Sequence, residues 1–208
     1  MNENYYVQYG CGWVAPAGWR NFDSSPTLRF ERIPFLGRLY TKNHERFPEN
    51  VEYGDIVVGL PLPDNSCQIV YCSHVLEHLA LDDFHKALKN TYKILVDGGI
   101  FRLVVPDLEY LANVYIADLS HESAINFMYA TRLGKEKKTR GLRSAIVDWL
   151  GNSQHLWMWD YKSIQFELQE AGFKDIRRAN FGDSSHKIFQ DVEVIQRWEN
   201  CLGLECKK

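Results

Sequence analysis

Two patterns in this sequence place residue types at spacings that could do chemistry. In the first, Gly10-Cys11-Gly12 follows the apolar run Tyr5 to Tyr9, and Asp23 closes the stretch Gly18-Trp19-Arg20-Asn21-Phe22-Asp23. Glycines at the end of a strand let the backbone turn sharply and approach a ligand without a Cβ clash. An acid at the tip of the following strand can accept hydrogen bonds from both hydroxyls of a ribose. With Ala15 the loop also satisfies the GxGxxA dinucleotide fingerprint, which makes a nicotinamide cofactor the alternative. The spacing argues against it: Asp23 follows Gly12 by 11 positions, and the acid of a dinucleotide unit lies about 20 residues on, beyond a full helix. A plain strand-ending turn, with Asp23 as a turn residue before Ser24-Ser25-Pro26, is the non-functional alternative. The second pattern is His74-x-x-Glu77-His78. On a helix it sets two imidazoles at i and i+4 on one face with a carboxylate between them, the ligand order of an inverted zinc protease.

These residues need a scaffold, and the sequence supplies one. Apolar runs of strand length alternate with helical patterns, the signature of βα units and a largely parallel sheet. Strands are expected at Tyr5 to Tyr9, Trp19 to Phe22, Val51 to Tyr53, Ile69 to Ser73, Ile100 to Val105, Ile176 to Ala179 and Leu202 to Cys206. The expectation is therefore a doubly wound, mostly parallel, seven-stranded Rossmann-like α/β sheet in one domain, 1–208. Helical stretches are expected at Val75 to Leu81, Asp82 to Leu95 and Tyr161 to Ala171. Phe84, Leu88, Tyr92 and Leu95 form the apolar stripe of the second, and Asp97-Gly98-Gly99 supplies a stop and turn. Residues 107–159 break the βα rhythm with an irregular helical pattern rich in Tyr, Trp, His and Lys. This segment reads as an insertion after strand five, at the carboxyl edge where ligands of open α/β sheets bind, and recognition of the molecule acted on is placed there.

Composition narrows the class. A chain of 208 residues buries roughly 70% of its unfolded surface as one domain. The five cysteines are odd in number and lack CxxC spacing, which argues against a disulfide framework or zinc ribbon and for a reducing cytoplasm. No run of about 18 apolar residues occurs, and no export signal, so no membrane span is expected. A net charge of −3 gives no global attraction to nucleic acid, although Lys135, Lys137, Lys138, Arg140 and Arg143 cluster in a stretch suited to a phosphate-bearing acceptor or to a solvated loop.

Several stretches, in order, resemble the methyltransferase type 11 family of S-adenosylmethionine-dependent methyltransferases. Gly10-Cys11-Gly12 with Trp19 to Asp23 is similar to the branch with a short glycine loop and a "GW-x-N-x-D" second strand. Tyr53-Gly54-Asp55-Ile56 followed by Leu60 to Ser66 resembles "GD…LPFPDNSFD", and Ser73 to Leu79 matches "SHVLEHL". Tyr92 to Gly99 resembles "xRVLKPGG", and Glu170 to Phe173 "EAGF". The chain departs from the pattern at Cys67, Gln68 and Asp97. The resemblance implies S-adenosylmethionine as cofactor. It sets Gly10, Cys11 and Gly12 against the methionine and ribose portions, Asp23 on the ribose hydroxyls, and Asp55 on the adenine amino group with Ile56 beside the ring. Ser73, His74 and Val75 would line the cofactor near its sulfonium. It also accounts for the residues of the His74-x-x-Glu77-His78 pattern without proteolysis. Some similar methyltransferases hold a divalent metal through an "ExxEH" segment here, with His74 in place of the first Glu; no metal is assigned.

Methyl transfer needs in-line alignment, exclusion of water and, for a hydroxyl nucleophile, a general base. The candidates are Asp107 at the end of strand five and His155 in Gln154-His155-Leu156-Trp157-Met158-Trp159. Trp157, Trp159, Tyr110, Tyr115 and Tyr129 are candidate linings of an acceptor pocket. The expected acceptor is a small molecule or a carrier-linked glycan or lipid precursor, with no nucleic acid; the oligomeric state is not legible. A nicotinamide-dependent oxidoreductase and a catalytically degenerate methyltransferase-fold binding protein are the alternatives.

Overall fold

The computed structural model describes residues 5–35, 45–135 and 154–208. Of the basic cluster only Lys135 falls within them; Lys137, Lys138, Arg140 and Arg143 lie outside the described residues. Seven strands form one sheet in the order β3-β2-β1-β4-β5-β7-β6: β1 Tyr5–Tyr9, β2 Arg20–Asp23, β3 Val51–Tyr53, β4 Cys67–Ser73, β5 Leu95–Pro106, β6 Lys174–Ala179 and β7 Cys201–Lys207. β1 to β5 pair in parallel, and β7 runs antiparallel to both β5 and β6. The order leaves β1 flanked by β2 on one side and β4 on the other. Their carboxyl ends therefore frame the crevice at which open α/β sheets bind ligands.

The centre of the sheet is apolar because both faces are covered. On one face Phe22, Val70, Phe101 and Leu103 pack with Phe84 and Leu88 of α2 (Leu81–Ile94) and Ile164 and Leu168 of the helix Tyr161–Glu170. The opposite face is built differently. The crossover from β1 to β2 holds no helix, only turns, and a third short helix, α1 (Pro26–Glu31), follows β2 instead. A strap between β6 and β7 closes that face, carrying Phe189, Val192 and Trp198 onto Trp19, Ile69, Tyr71 and Val104. Two 3-10 turns, Lys187–Asp191 and Ile195–Arg197, are its only helical turns.

Arg102 locks the strap down. Alternation along β5 puts Phe101 and Leu103 on the helical face and Arg102 on the other, where it is fully buried. Its Nε donates to Glu193 (2.5 Å), Nη1 to Asp183 (3.1 Å) and Glu205 (3.0 Å), and Nη2 to the Asn180 carbonyl (2.7 Å). Its guanidinium lies 4.7 Å from the Trp198 ring centroid.

The segment after β5 forms two helices, α3 (Leu108–Ala117) and α4 (Ser123–Ala130), which pack on each other through Tyr115 and Phe127 and bury no residue fully. The helix Tyr161–Glu170 is thus α5; Asp160 and Ser163 cap it reciprocally, and Gly172 takes the left-handed conformation just beyond it. One expected helix is absent. Val75 to Leu81 makes a single 3-10 turn, Leu76–His78, before the chain extends at Leu79 and Ala80. His74 adopts φ +55°, so the chain leaves β4 through a left-handed residue and cannot propagate an α-helix from it. Trp159 is also corrected. It is core, stacked on Phe84 at 4.1 Å, whereas Tyr110, Tyr115, Tyr129 and Trp157 are exposed. All five cysteines are free, and no described helix is long and apolar enough to cross a membrane.

Candidate functional site

The tips of β1, β2, β3 and β4 bring most of the sequence-predicted residues to one edge. Gly10 and Gly12 both have positive φ, +66° and +55°, which folds the loop back so that the Gly12 N–H donates to Asp23 Oδ2 at 3.0 Å. The Ser25 N–H donates to Asp23 Oδ1 at 2.8 Å. Each carboxylate oxygen thus keeps one lone pair in hand. Burial raises the Asp23 carboxyl, against the pull of the two N–H donors and of Arg197. The Cys11 thiol is pushed up to about 12, by burial and then by Asp23, so it stays protonated and is no nucleophile.

Gly10 serves a packing purpose. A Cβ there would stand 2.1 Å from Val75 Cγ2, so the Val75 side chain fills the space over the glycine. Gly12 is open on that side, where an added Cβ would meet only Arg197 Nη2, at 3.8 Å. After β3, Asp55 Oδ1 accepts from the Val57 N–H at 2.9 Å, and Asn90 donates to the Ile56 carbonyl at 2.8 Å. Gly54 lets Phe22 and Leu60 close on this turn, and the Ile56 side chain is buried beside them. At the end of β4 the buried Ser73 Oγ has no hydrogen-bond partner.

His74 is already committed. Its Nδ1 lies 3.1 Å from Glu77 Oε1 and its Nε2 2.9 Å from the Arg197 carbonyl, with Cys201 Sγ at 3.7 Å. Both nitrogens face acceptors, which the imidazolium satisfies as a double donor. Its pKa is raised to about 10: burial opposes the charge, but Cys201, Glu77 and the Arg197 carbonyl outweigh it. His74, Glu77 and His78 therefore do not share a helical face. The donor atoms that converge, within 4.8 Å of one another, belong to Glu77, His78 and His155. The His78 and His155 rings meet edge to face at 4.9 Å, and His78 Nδ1 donates to the Gln154 carbonyl at 3.0 Å.

The two candidate bases stand in different environments. Asp107 caps α3, accepting from the N–H groups of Glu109 (2.9 Å) and Tyr110 (3.3 Å), with Arg178 3.7 Å away. His155 is buried, with Nδ1 unpartnered and Nε2 4.0 Å from Glu77. Burial lowers its pKa, more than the neighbouring Glu77 raises it.

Sequence reasoning missed Arg197 and the hub role of Glu77. Arg197 sits in no motif, and only the return of the strap to β4 brings it to the glycine loop. Glu77 stands inside the pattern that the sequence singled out, but its contacts with the chain beyond α4 are long-range: its carbonyl accepts from the N–H groups of Leu156 (2.8 Å) and Trp157 (3.1 Å).

A family model described as a methyltransferase domain matches residues 10–177. No curated protein matches the chain. Among solved structures, one similar chain is a methyltransferase of Thermotoga maritima dependent on S-adenosylmethionine and described as a possible histamine N-methyltransferase. It is 16% identical with a TM-score of 0.55, and the match covers 100% of this chain and 84% of that one. Another is an S-adenosylmethionine-dependent methyltransferase of Archaeoglobus fulgidus, 15% identical with a TM-score of 0.51, covering 99% of this chain and 86% of that one. At such identities the likeness is one of fold.

Proposed function

This chain belongs to the methyltransferase-domain family, and we propose that it passes the methyl group of S-adenosylmethionine to a small-molecule or carrier-linked acceptor, a glycan or lipid precursor, recognised by the segment 107–159. The observation that carries the cofactor half is Asp23: a half-buried carboxylate at the tip of β2, tied back to the Gly12 N–H yet with a lone pair free on each oxygen. Two vicinal hydroxyls of a ribose fit that vacancy. Asp55, after β3, takes the adenine amino group with Ile56 beside the ring. Gly10, Cys11 and Gly12 offer backbone to the ribose and methionine portions, and Ser73, with its orphaned hydroxyl, lies beyond them. Val75 and His74 act behind this surface, one by packing on Gly10 and the other by holding Glu77 and the strap.

The cofactor supplies an electrophilic methyl on a sulfonium, so the protein's part is alignment, exclusion of water and proton removal. His155 is the better base. A lowered pKa keeps it neutral near pH 7 and able to accept a proton, whereas Asp107 is spent on the α3 cap and Arg178. The exposed rings of Tyr110, Tyr115, Tyr129 and Trp157 support an acceptor with an apolar or ring-shaped body. Incubating the protein with methyl-labelled S-adenosylmethionine and fractionated cell extract tests this. Label is expected in the small-molecule or lipid-extractable fraction, and label confined to protein or nucleic acid would contradict the acceptor class.

A further inference from the structure

The sheet order fixes how a ligand must lie. Asp55 follows β3, Asp23 ends β2, Gly12 follows β1 and Ser73 ends β4, and these strands are consecutive in the sheet. A cofactor with its adenine at β3 and its ribose at β2 extends across β1 toward β4. Its amino-acid end, which carries an α-carboxylate and an α-ammonium, then falls between Gly12 and Ser73. The acids at β2 and β3 suit neutral hydroxyl and amino donors, but an anion at the far end needs a cation.

Arg197 stands there. Its Nη2 is the one atom that a Cβ added to Gly12 would meet, at 3.8 Å, so it faces the open side of the glycine, and its Nη1 reaches the Ser73 carbonyl at a long 3.4 Å. A guanidinium carries five N–H donors, and that weak contact is the only hydrogen bond its side chain makes among the described residues; no carboxylate among them lies within 4.0 Å of it. The arm is nonetheless fixed at its root. The Arg197 N–H donates to the Val194 carbonyl at 2.9 Å, its carbonyl takes the His74 Nε2, and the next residue, Trp198, is buried against Arg102. A rigidly mounted, half-buried cation with unspent donors at the end of a cofactor groove is an anion site.

Resting on the cofactor reading above, we propose that Arg197 binds the α-carboxylate of S-adenosylmethionine, with His74 as the positioning residue that holds the Arg197 backbone in place. The Ser73 carbonyl beside the guanidinium is the acceptor for the ammonium on the same carbon. The cation comes from the strap between β6 and β7, so the element that closes the second face of the sheet also completes the cofactor site.

Calorimetric titration of the full chain with S-adenosylhomocysteine and with 5′-methylthioadenosine, which keeps the nucleoside and lacks the amino-acid end, tests this directly. Arg197→Met is expected to weaken S-adenosylhomocysteine about ten- to a hundredfold, the range for a lost charge-assisted hydrogen-bonded pair, and to leave 5′-methylthioadenosine unchanged. Arg197→Lys, which keeps the charge but not the fork, falls between the two for S-adenosylhomocysteine. An unchanged S-adenosylhomocysteine affinity in Arg197→Met, or an equal loss for both ligands in a variant with wild-type thermal unfolding, overturns the assignment. Wild-type protein that binds neither ligand overturns the underlying cofactor reading instead.

Discussion

Replacing Arg102 by Met should show that one buried cation holds the strap, and with it half the cover of the sheet. The wild-type guanidinium is fully buried and satisfies Glu193, Glu205, Asp183 and the Asn180 carbonyl at 2.5 to 3.1 Å. Arg177 also reaches Asp183 and Glu205, at 2.8 and 2.7 Å, so those two acids keep a partner in the variant. Glu193 keeps only the Gly182 N–H, at 2.9 Å, and no cation: its side chain is 1% exposed and its ion pair among the described residues is with Arg102. A buried carboxylate stripped of its counter-charge costs about 3–5 kcal/mol, a large part of the roughly 5–15 kcal/mol that holds a domain folded. Urea unfolding followed by tryptophan fluorescence measures the loss, with Trp198, 4.7 Å from the guanidinium, as local reporter. Adding Glu193→Gln to Arg102→Met removes the stranded charge and should recover at least about 0.5 kcal/mol, the lower bound for coupling in a buried network. A loss below about 1 kcal/mol for Arg102→Met, or no recovery in the double variant, would show that Arg102 does not hold the strap through Glu193.

Three further outcomes follow from the same structure. Gly10→Ala should destabilise by about 2–4 kcal/mol, through a left-handed φ and a Cβ 2.1 Å from Val75 Cγ2, and Val75→Ala should recover part of it in thermal unfolding. Asp23→Asn keeps an oxygen for one of the two loop N–H groups but loses the charge, and should weaken S-adenosylhomocysteine about tenfold or more by calorimetry with the far-UV spectrum unchanged. Acid should loosen the strap. Burial alone would raise Asp183, but the Arg177 and Arg102 guanidiniums and the Asn180 N–H hold it at about 2. Its contribution is thus complete above the ordinary aspartate value and disappears as pH falls through the folded value. Because the side chain is 29% exposed, screening limits this to about 1–2 kcal/mol, read as the difference between wild type and Asp183→Asn across pH 5 to 2.

The strands were legible because β4 and β5 are buried on both faces and read as unbroken apolar runs, and α2 and α5 because their stripes face the sheet. The short crossover between Gly12 and Asp23 was legible from spacing alone. The strap was not, because Asn180 to Asn200 has neither period 2 nor period 3.6 and is held by Arg102, a contact 91 residues away for Glu193. The α-helical expectation at Val75 to Leu81 failed locally: the chain leaves β4 through a left-handed His74 and is extended again at Leu79 and Ala80, which bounds a single 3-10 turn. Within the site, residue types at strand ends were readable, but their partners were not. That His74 faces Glu77 and the Arg197 carbonyl, and that His155 meets His78, depends on segments the chain brings together over long distances.

We propose that the edge formed by Gly10, Gly12, Asp23 and Asp55 holds S-adenosylmethionine and not a nicotinamide dinucleotide. Parallel calorimetric titrations of the wild-type chain with S-adenosylhomocysteine and NADH test it most directly. Saturable one-to-one binding of S-adenosylhomocysteine is expected, with no heat from NADH. Binding of NADH alone, or of neither, would contradict it.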